Sequence, residues 1–254
     1  MPNAGKMERI IRPEASLSNF TTTILNSCIN IMQSVLPQDC MLCGAAAGRD
    51  KLCQHCRADL PYHRSPSCPI CAIPSTDGCV CGHCLSKPPA YGATLAAFIY
   101  TFPLDGLVQS LKYGGNLALT DVLTEPLIAH AATGPKPDLL IPLPLHPAKL
   151  RERGFNQSLE IARLLSRALN VPLATDACER VRDTAPQASL PLKHRHDNVK
   201  GAFACYLDLS GKHVAVVDDV MTTGATLDEM AKILLKAGAA SVSNWVVARA
   251  LPHR

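Results

Sequence analysis

Along this chain the apolar residues fall into three regimes, and each predicts a different kind of structure. Ile24, Leu25, Cys28, Ile31, Met32, Val35 and Leu36 recur at three-to-four spacing. That spacing marks one face of a helix, and Pro37 ends the run. The stripe has almost no basic flank, so a helix packed on the rest of the protein is favoured over one lying on a membrane surface. Residues 1–19 ahead of it are expected to be poorly ordered. Over residues 38–88 the apolar periodicity nearly disappears, and beyond Pro88 and Pro89 it returns as short apolar runs alternating with amphipathic stretches. Residues 95–100, 139–145, 202–206, 213–217 and 242–248 read as strands. Residues 104–113, 117–132, 155–169 and 227 onward read as helices. Such alternation predicts an α/β fold, a mostly parallel sheet flanked by helices. The chain accordingly divides into an N-terminal segment with its amphipathic helix (1–37), a small cysteine-rich unit (38–88) and the α/β domain (89–254).

Composition narrows what these regions can be. The chain has 254 residues, 47% of them apolar and only 4% aromatic, enough for one full domain with a real core and a smaller one. A formal net charge of +4 gives no strong nucleic-acid footprint. The first residues are polar and mixed in charge, so secretion is not expected. No run of about eighteen apolar residues occurs, so no membrane span is expected either. A cytoplasmic protein is the expectation. That changes how the twelve cysteines are read, because disulfides are rare in that compartment.

Their spacing points to metal. Cys40 and Cys43 form one C-x-x-C pair and Cys53 and Cys56 a second. Cys68, Cys71, Cys81 and Cys84 repeat the arrangement 28 residues later, the mark of an internal duplication. Each pair supplies one edge of a tetrahedral site and two pairs close it. Two structural Zn2+ are therefore expected, on Cys40/Cys43/Cys53/Cys56 and on Cys68/Cys71/Cys81/Cys84. A cross-braced arrangement that alternates the pairs uses the same ligands, and the spacing leaves it open. Cys79, two residues before Cys81, is an alternative ligand. A segment this poor in large apolar residues needs such staples to fold. Cys28, Cys178 and Cys205 sit among apolar residues and read as small core residues.

The α/β region carries its chemistry in one contiguous stretch, VAVVDDVMTTGAT, from Val214 to Thr226. An apolar run fit for a buried parallel strand leads into two acids, Asp218 and Asp219. A Thr-Gly loop and the start of a helix follow. Backbone N–H groups of such a loop and the helix N-terminus converge on one anion. The hydroxyls of Thr222, Thr223 and Thr226 add donors, and Gly224 permits close backbone approach. Acids at the carboxyl end of the strand lie where ligands of open α/β sheets bind, and they suit sugar hydroxyls or a metal. The ligand this describes is a ribose 5-phosphate. No G-x-x-x-x-G-K-[ST] or G-x-G-x-x-G string competes for the phosphate.

Three further stretches bear on that ligand. After IPLPLHP come Lys149, Arg151, Glu152, Arg153, Gly154, Phe155, Asn156 and Gln157, read as the opening of a helix. Guanidinium forks grip phosphate oxygens, and Asn156 or Gln157 adds neutral donors. A pyrophosphate clamp is favoured over a solvated helix start, because cations at a helix N-terminus oppose its dipole and call for an anion. Residues 180–203 are long, polar and rich in cations (Arg180, Arg182, Lys193, Arg195, Lys200). They read either as a lid that excludes water or as an exposed loop. In Leu111-Lys112-Tyr113-Gly114-Gly115, Lys112 either reaches a phosphate or simply precedes a glycine helix stop.

The acid pair and loop resemble the phosphoribosyl-pyrophosphate (PRPP) motif of the type I phosphoribosyltransferases. The resemblance implies that Asp218 and Asp219 take the ribose hydroxyls. It gives the 5-phosphate to Val220, Met221, Thr222, Thr223, Gly224, Ala225 and Thr226. It further implies Mg2+ bound with PRPP, Arg151 and Arg153 on the leaving pyrophosphate, and a cis non-proline peptide around residues 144–146. Purine-salvage relatives carry an acid where this chain has Thr222, so the acceptor stays unnamed. Four C-x-x-C pairs joined to LKYGG, IPLPLHPAKLRERGFNQ, RDTAPQ, NVKGAF and VAVVDDVMTTGAT resemble the ComF family. That family joins a double zinc ribbon to a type I phosphoribosyltransferase domain. The resemblance implies PRPP-dependent transfer of phosphoribosyl with release of pyrophosphate. For some members it implies a role with single-stranded DNA and competence proteins. The alternative is a non-catalytic protein that responds to PRPP or grips single-stranded nucleic acid. Its contacts would be Arg49, Lys51, His55, Arg57, His63 and Arg64, with Tyr62 as the stacking ring. The oligomeric state is not legible.

Overall fold

The computed structural model describes residues 10–11, 38–182 and 199–252. The stripe at 24–36, Cys28 and residues 183–198 of the long polar stretch lie outside the described residues. In chain order the strands are β1 (Ile10–Ile11), β2 (Gln38–Asp39), β3 (Ala46–Gly48), β4 (Ala93–Ile99), β5 (Leu139–Pro142), β6 (Leu173–Ala174), β7 (Cys178–Arg180), β8 (Phe203–Cys205), β9 (His213–Met221) and β10 (Ser241–Arg249). The helices are α1 (Gln54–Ala58), α2 (Gly82–Ser86), α3 (Leu104–Gly114), α4 (Leu119–Ala132), α5 (Pro147–Arg153), α6 (Gln157–Leu169) and α7 (Ala225–Lys236).

The sheet runs β1-β6-β5-β9-β10-β4. The five strands from β6 to β4 are parallel, and β1 adds antiparallel at the β6 edge. Strand β9 is central because its Val214–Val217 run is apolar on both faces, as a strand covered by helices on each side must be. Alternation then sorts its side chains. Ala215 and Val217 join a core with Leu123, Leu127, Ile161 and Leu165 of α4 and α6. Val214 and Val216 join Leu227, Met230 and Leu234 of α7 on the other face. The two halves of the duplicated cysteine unit follow the same division. Cys40, Leu52 and Leu60 pack with the first core, and Cys68, Cys71 and Cys84 with the second. Between them the chain caps the open edge of the sheet. His63 N donates to Ala97 O, Ile99 N to Pro61 O and Thr94 N to Pro69 O, so the β4 edge offers no free ladder.

Several expectations change in the structure. Strand β5 ends at Pro142, not 145, because Pro142 and Pro144 lack the N–H a ladder needs. Strand β8 is confined to Phe203–Cys205 and leaves the main sheet to pair with β7 as a separate two-stranded arm. Within the stretch expected to lack order, Ile10–Ile11 joins the sheet edge. The bonds at 144–146 are not cis; among the described residues the cis peptide is Phe102–Pro103. Finally, Asn156 and Gln157 of the basic segment open α6, but its cations lie ahead of that helix. His146 caps a separate short helix, α5, with Pro147 at its first turn, and Gly154 ends it in the left-handed region at φ 81°. Arg151 and Arg153 occupy its last turn, where cations suit the dipole. Arg151 and Arg153 therefore do not oppose a helix N-terminus, contrary to the expectation from sequence.

Candidate functional site

Each run of four cysteines closes on itself. The sulfurs of Cys40, Cys43, Cys53 and Cys56 lie within 4.8 Å of one another, as do those of Cys68, Cys71, Cys81 and Cys84. Cys43 and Cys53 sulfurs are 3.7 Å apart and those of Cys71 and Cys81 3.6 Å. A Zn–S bond of about 2.3 Å implies tetrahedral edges of about 3.8 Å, so both sets fit Zn2+. The ligand sets are sequential, not cross-braced. Exposed Cys79 stands outside them, with its thiol turned to Asp77 O. Cys178 and Cys205 face each other across β7 and β8.

The second centre of chemistry is a cleft of about 730 Å³ over the carboxyl end of β9. Asp218 and Asp219 lie inside the strand, both buried. Asp218 Oδ1 accepts from Ser158 Oγ and from the Asp219 N–H, each at 2.9 Å. Asp219 Oδ1 accepts from Val220 N at 2.6 Å, and its Oδ2 stands 2.9 Å from Lys112 Nζ. Burial, and then the neighbouring Asp219 carboxylate, push Asp218 up to about 7. Burial also works against the charge of Lys112, but Asp219 outweighs it and holds the lysine above its ordinary value. Of the two readings of LKYGG, the structure shows the glycine stop. Helix α3 stops at Gly115 (φ 63°), and Lys112 in its last turn enters the cleft as the partner of Asp219.

Beyond the acids the chain turns sharply into α7. Gly224 has φ 83°, and a Cβ there would lie 2.7 Å from Tyr91 Oη and 2.8 Å from Met221 Cε. Only glycine fits this turn, on two counts. Met221, Thr222, Gly224 and Thr226 line the cleft, with the N-terminus of α7 behind them. Thr223 Oγ1 accepts from Ala225 N at 3.4 Å and so caps locally.

The basic segment forms the facing wall only in part. Lys149 and Arg153 line the cleft; exposed Arg151 does not. Arg153 is held by Gln157, whose Oε1 accepts from it at 2.6 Å, and by the Tyr113 ring 5.3 Å away. Asn156 caps α6, accepting from Ser158 N and donating to Leu143 O, both at 3.0 Å. The pattern thus gave Asn156 and Gln157 as ligand donors, and the structure uses them to hold the wall. Ser158 and Tyr113 were missed. Ser158 stands directly after Gln157, but a lone serine carries no signal until the fold brings β9 beside it. Arg180 also lines the cleft, its guanidinium 5.5 Å from the Phe203 ring.

The residues of the nucleic-acid alternative are largely engaged within the protein. Tyr62 is half-buried, its ring 5.0 Å from that of Phe98 and 4.9 Å from the Arg64 guanidinium. Arg57 pairs with Glu125 and Asp50, and His63 with Ala72 O. Among the described residues no helix is long and apolar enough to cross a membrane.

The family model for the double zinc ribbon domain matches residues 31–85, and that for the phosphoribosyl transferase domain matches residues 156–252. DNA utilization protein YhgH of Escherichia coli (strain K12) is 36% identical over 225 residues, covering 85% of this chain and 99% of that protein. Competence protein F of Haemophilus influenzae is 30% identical over 207 residues, covering 78% of this chain and 84% of that protein. Competence protein ComFC of Bacillus subtilis is 26% identical over 235 residues, covering 83% and 94%. Among solved structures, purine phosphoribosyltransferase from Pyrococcus horikoshii is similar at 19% identity and a TM-score of 0.30, covering 61% of this chain and 87% of that one.

Proposed function

The chain belongs to the ComF family, a double zinc ribbon joined to a phosphoribosyltransferase domain, and from that premise we propose that it is a PRPP-dependent transferase. One observation carries the reading: a paired acid, a glycine-turned loop at a helix N-terminus and a cation wall face one another across a single cleft. The loop of residues 221–226 and the start of α7 take the 5-phosphate. Asp218 and Asp219 accept from the ribose hydroxyls, with Lys112 Nζ 2.9 Å from Asp219 Oδ2. Arg153 and Lys149 face the pyrophosphate.

In the reaction the bond from C1 of the ribose to the pyrophosphate oxygen breaks, and its electron pair leaves with the pyrophosphate. An acceptor then supplies the new pair to C1. Charge grows at both ends of the breaking bond, so the contribution of the protein is electrostatic. Arg153, fixed by Gln157 and Tyr113, meets the leaving charge. The carboxylates stand on the side of the sugar as it turns cationic. Mg2+ carried with PRPP supplies further countercharge. Thr222 offers no carboxylate to take a proton from the acceptor.

Calorimetric titration of zinc-loaded protein with PRPP and Mg2+, with pyrophosphate measured in the same samples, tests the proposal. Binding followed by pyrophosphate release on adding nucleobases, nucleosides or single-stranded DNA supports a transferase and identifies its acceptor. Binding without release across that panel reduces the protein to a PRPP-responsive one. Absence of binding removes the proposal.

A further inference from the structure

Arg249, the last residue of β10, is buried at 3% exposure. Its guanidinium meets backbone carbonyls from three separate segments. Nε donates to Cys71 O at 2.6 Å, and Nη1 to Met221 O at 3.0 Å and to the carbonyls of Thr222 and Ala250. Burying a guanidinium is costly unless its N–H groups are satisfied, and here the partners that satisfy it are specific. Cys71 belongs to the second four-cysteine site. Met221 and Thr222 open the phosphate loop. One side chain, 178 positions from Cys71 and 28 from Met221, therefore ties a metal-ligand residue to the loop.

Two neighbouring contacts join the same parts. Tyr91, just beyond the second ribbon, puts its hydroxyl where a side chain on Gly224 would stand. Ala90 N donates to Asp228 Oδ1 at 2.7 Å, in the first turn of α7. Charge favours the arrangement too. Zn2+ with four thiolates has a net charge of about −2, and Arg249 is a buried cation bonded to one of those ligand residues. The first site has a different setting. It meets the rest of the chain through Leu52 and Leu60 in the core on the opposite face of the sheet, and through the Arg57–Glu125 pair at the surface.

We propose that Arg249 is a positioning residue that couples the second zinc site to the phosphate loop, so that ligand binding in the cleft depends on the second metal and not on the first. This rests on reading the cleft as the PRPP site. When the second site is empty, the hairpins bearing Cys71 and Cys84 lose their anchor, the Cys71 carbonyl moves, and the guanidinium no longer holds the Met221 and Thr222 carbonyls in place. Coupling is reciprocal, so PRPP with Mg2+ raises the affinity of the second site for zinc against a competing chelator.

The test uses the full chain and three readouts: zinc per chain, PRPP–Mg2+ affinity, and amide hydrogen exchange across residues 220–227. Cys53→Ser is expected to lose one zinc and keep affinity within about threefold, with unchanged loop exchange. Cys84→Ser is expected to lose the other zinc, weaken binding by more than about tenfold and speed loop exchange. Arg249→Lys keeps the charge but not the fork. It should retain two zincs while weakening binding by about tenfold and speeding the same amides, a result that loss of general stability would not confine to this loop. If Cys84→Ser fails to fold, Arg249→Lys and chelator competition with and without PRPP carry the test. Equal effects of the two cysteine variants, or wild-type affinity and exchange in Arg249→Lys, overturn the inference. If wild type binds no PRPP the proposed function fails, while the exchange comparison still decides the coupling.

Discussion

The two four-cysteine units have the same spacing, yet the chain places them in different company. The first, at Cys40–Cys56, has one buried ligand residue and one fully exposed. It packs beside α4 on one face of the sheet. The second, at Cys68–Cys84, has three buried ligand residues and lies on the other face against α7 and, through Arg249, the loop that follows β9. A duplicated metal ribbon is a unit of local stability. What surrounds it decides whether it only stabilises or also shapes a site. The difference here comes from the sheet edge. The linker between the units runs along β4, which leaves one copy on each side of the sheet.

The comparison has force only if the cleft beside the second unit is where ligand binds. Replacing both acids, Asp218→Asn with Asp219→Asn, is therefore expected to have the largest effect. PRPP affinity should fall by more than about a hundredfold, roughly two charge-assisted contacts, with zinc still at two per chain. Calorimetry with metal analysis checks it, and retained affinity would show that the second unit borders no ligand site.

Gly224→Ala sharpens the role of Tyr91. A left-handed alanine costs about 1–2 kcal/mol, and its Cβ would also strike the Tyr91 hydroxyl. Affinity should drop about tenfold or more. Adding Tyr91→Phe should recover part of the loss, because the ring carbon Cζ lies at an ordinary 3.7 Å. No recovery would mean that the second unit does not press on the loop.

Titration separates the cleft from both zinc units. The folded value of Asp218, about 7, is above the usual carboxylate value of about 3.9. Its contribution to stability is therefore present below about pH 4 and is lost as pH rises through about 7. Between pH 6 and 8 the melting temperature of wild type should fall relative to Asp218→Asn and then level off. PRPP affinity should change in the opposite sense and weaken below about 7 as the carboxylate that accepts the hydroxyls is protonated. Parallel curves for wild type and Asp218→Asn would reject this assignment.

The smallest effect should come from the first unit. Arg57→Ala removes surface pairs with Glu125 and Asp50, and exposed pairs contribute little. A melting temperature within about 2 °C of wild type and unchanged PRPP affinity are expected. A large loss of affinity would make the first unit a partner of the site as well.

The features legible in the chain were those whose chemistry is contiguous. A phosphate loop must follow its strand directly, so VAVVDDVMTTGAT announced both the central strand and the acids. Zinc ligands must come in close pairs, so the cysteine count led to two metals. Alternating apolar runs were enough for the parallel sheet, because a strand covered on both faces can be written in few other ways. The rest depended on neighbours distant in sequence. Arg249 reads as an ordinary strand end until Cys71, 178 residues away, is folded against it. Tyr91 shows no function until Gly224 turns over its hydroxyl, and Asn156 looks like a donor until Leu143 O takes its amide. The cations of the basic segment do not open the helix expected at 155–169, because a proline start and a glycine stop make them a separate short helix ahead of it. Local spacing specifies which chemistry is available. Only packing, which joins segments that no sequence window contains, decided which copy of the ribbon lies beside the cleft.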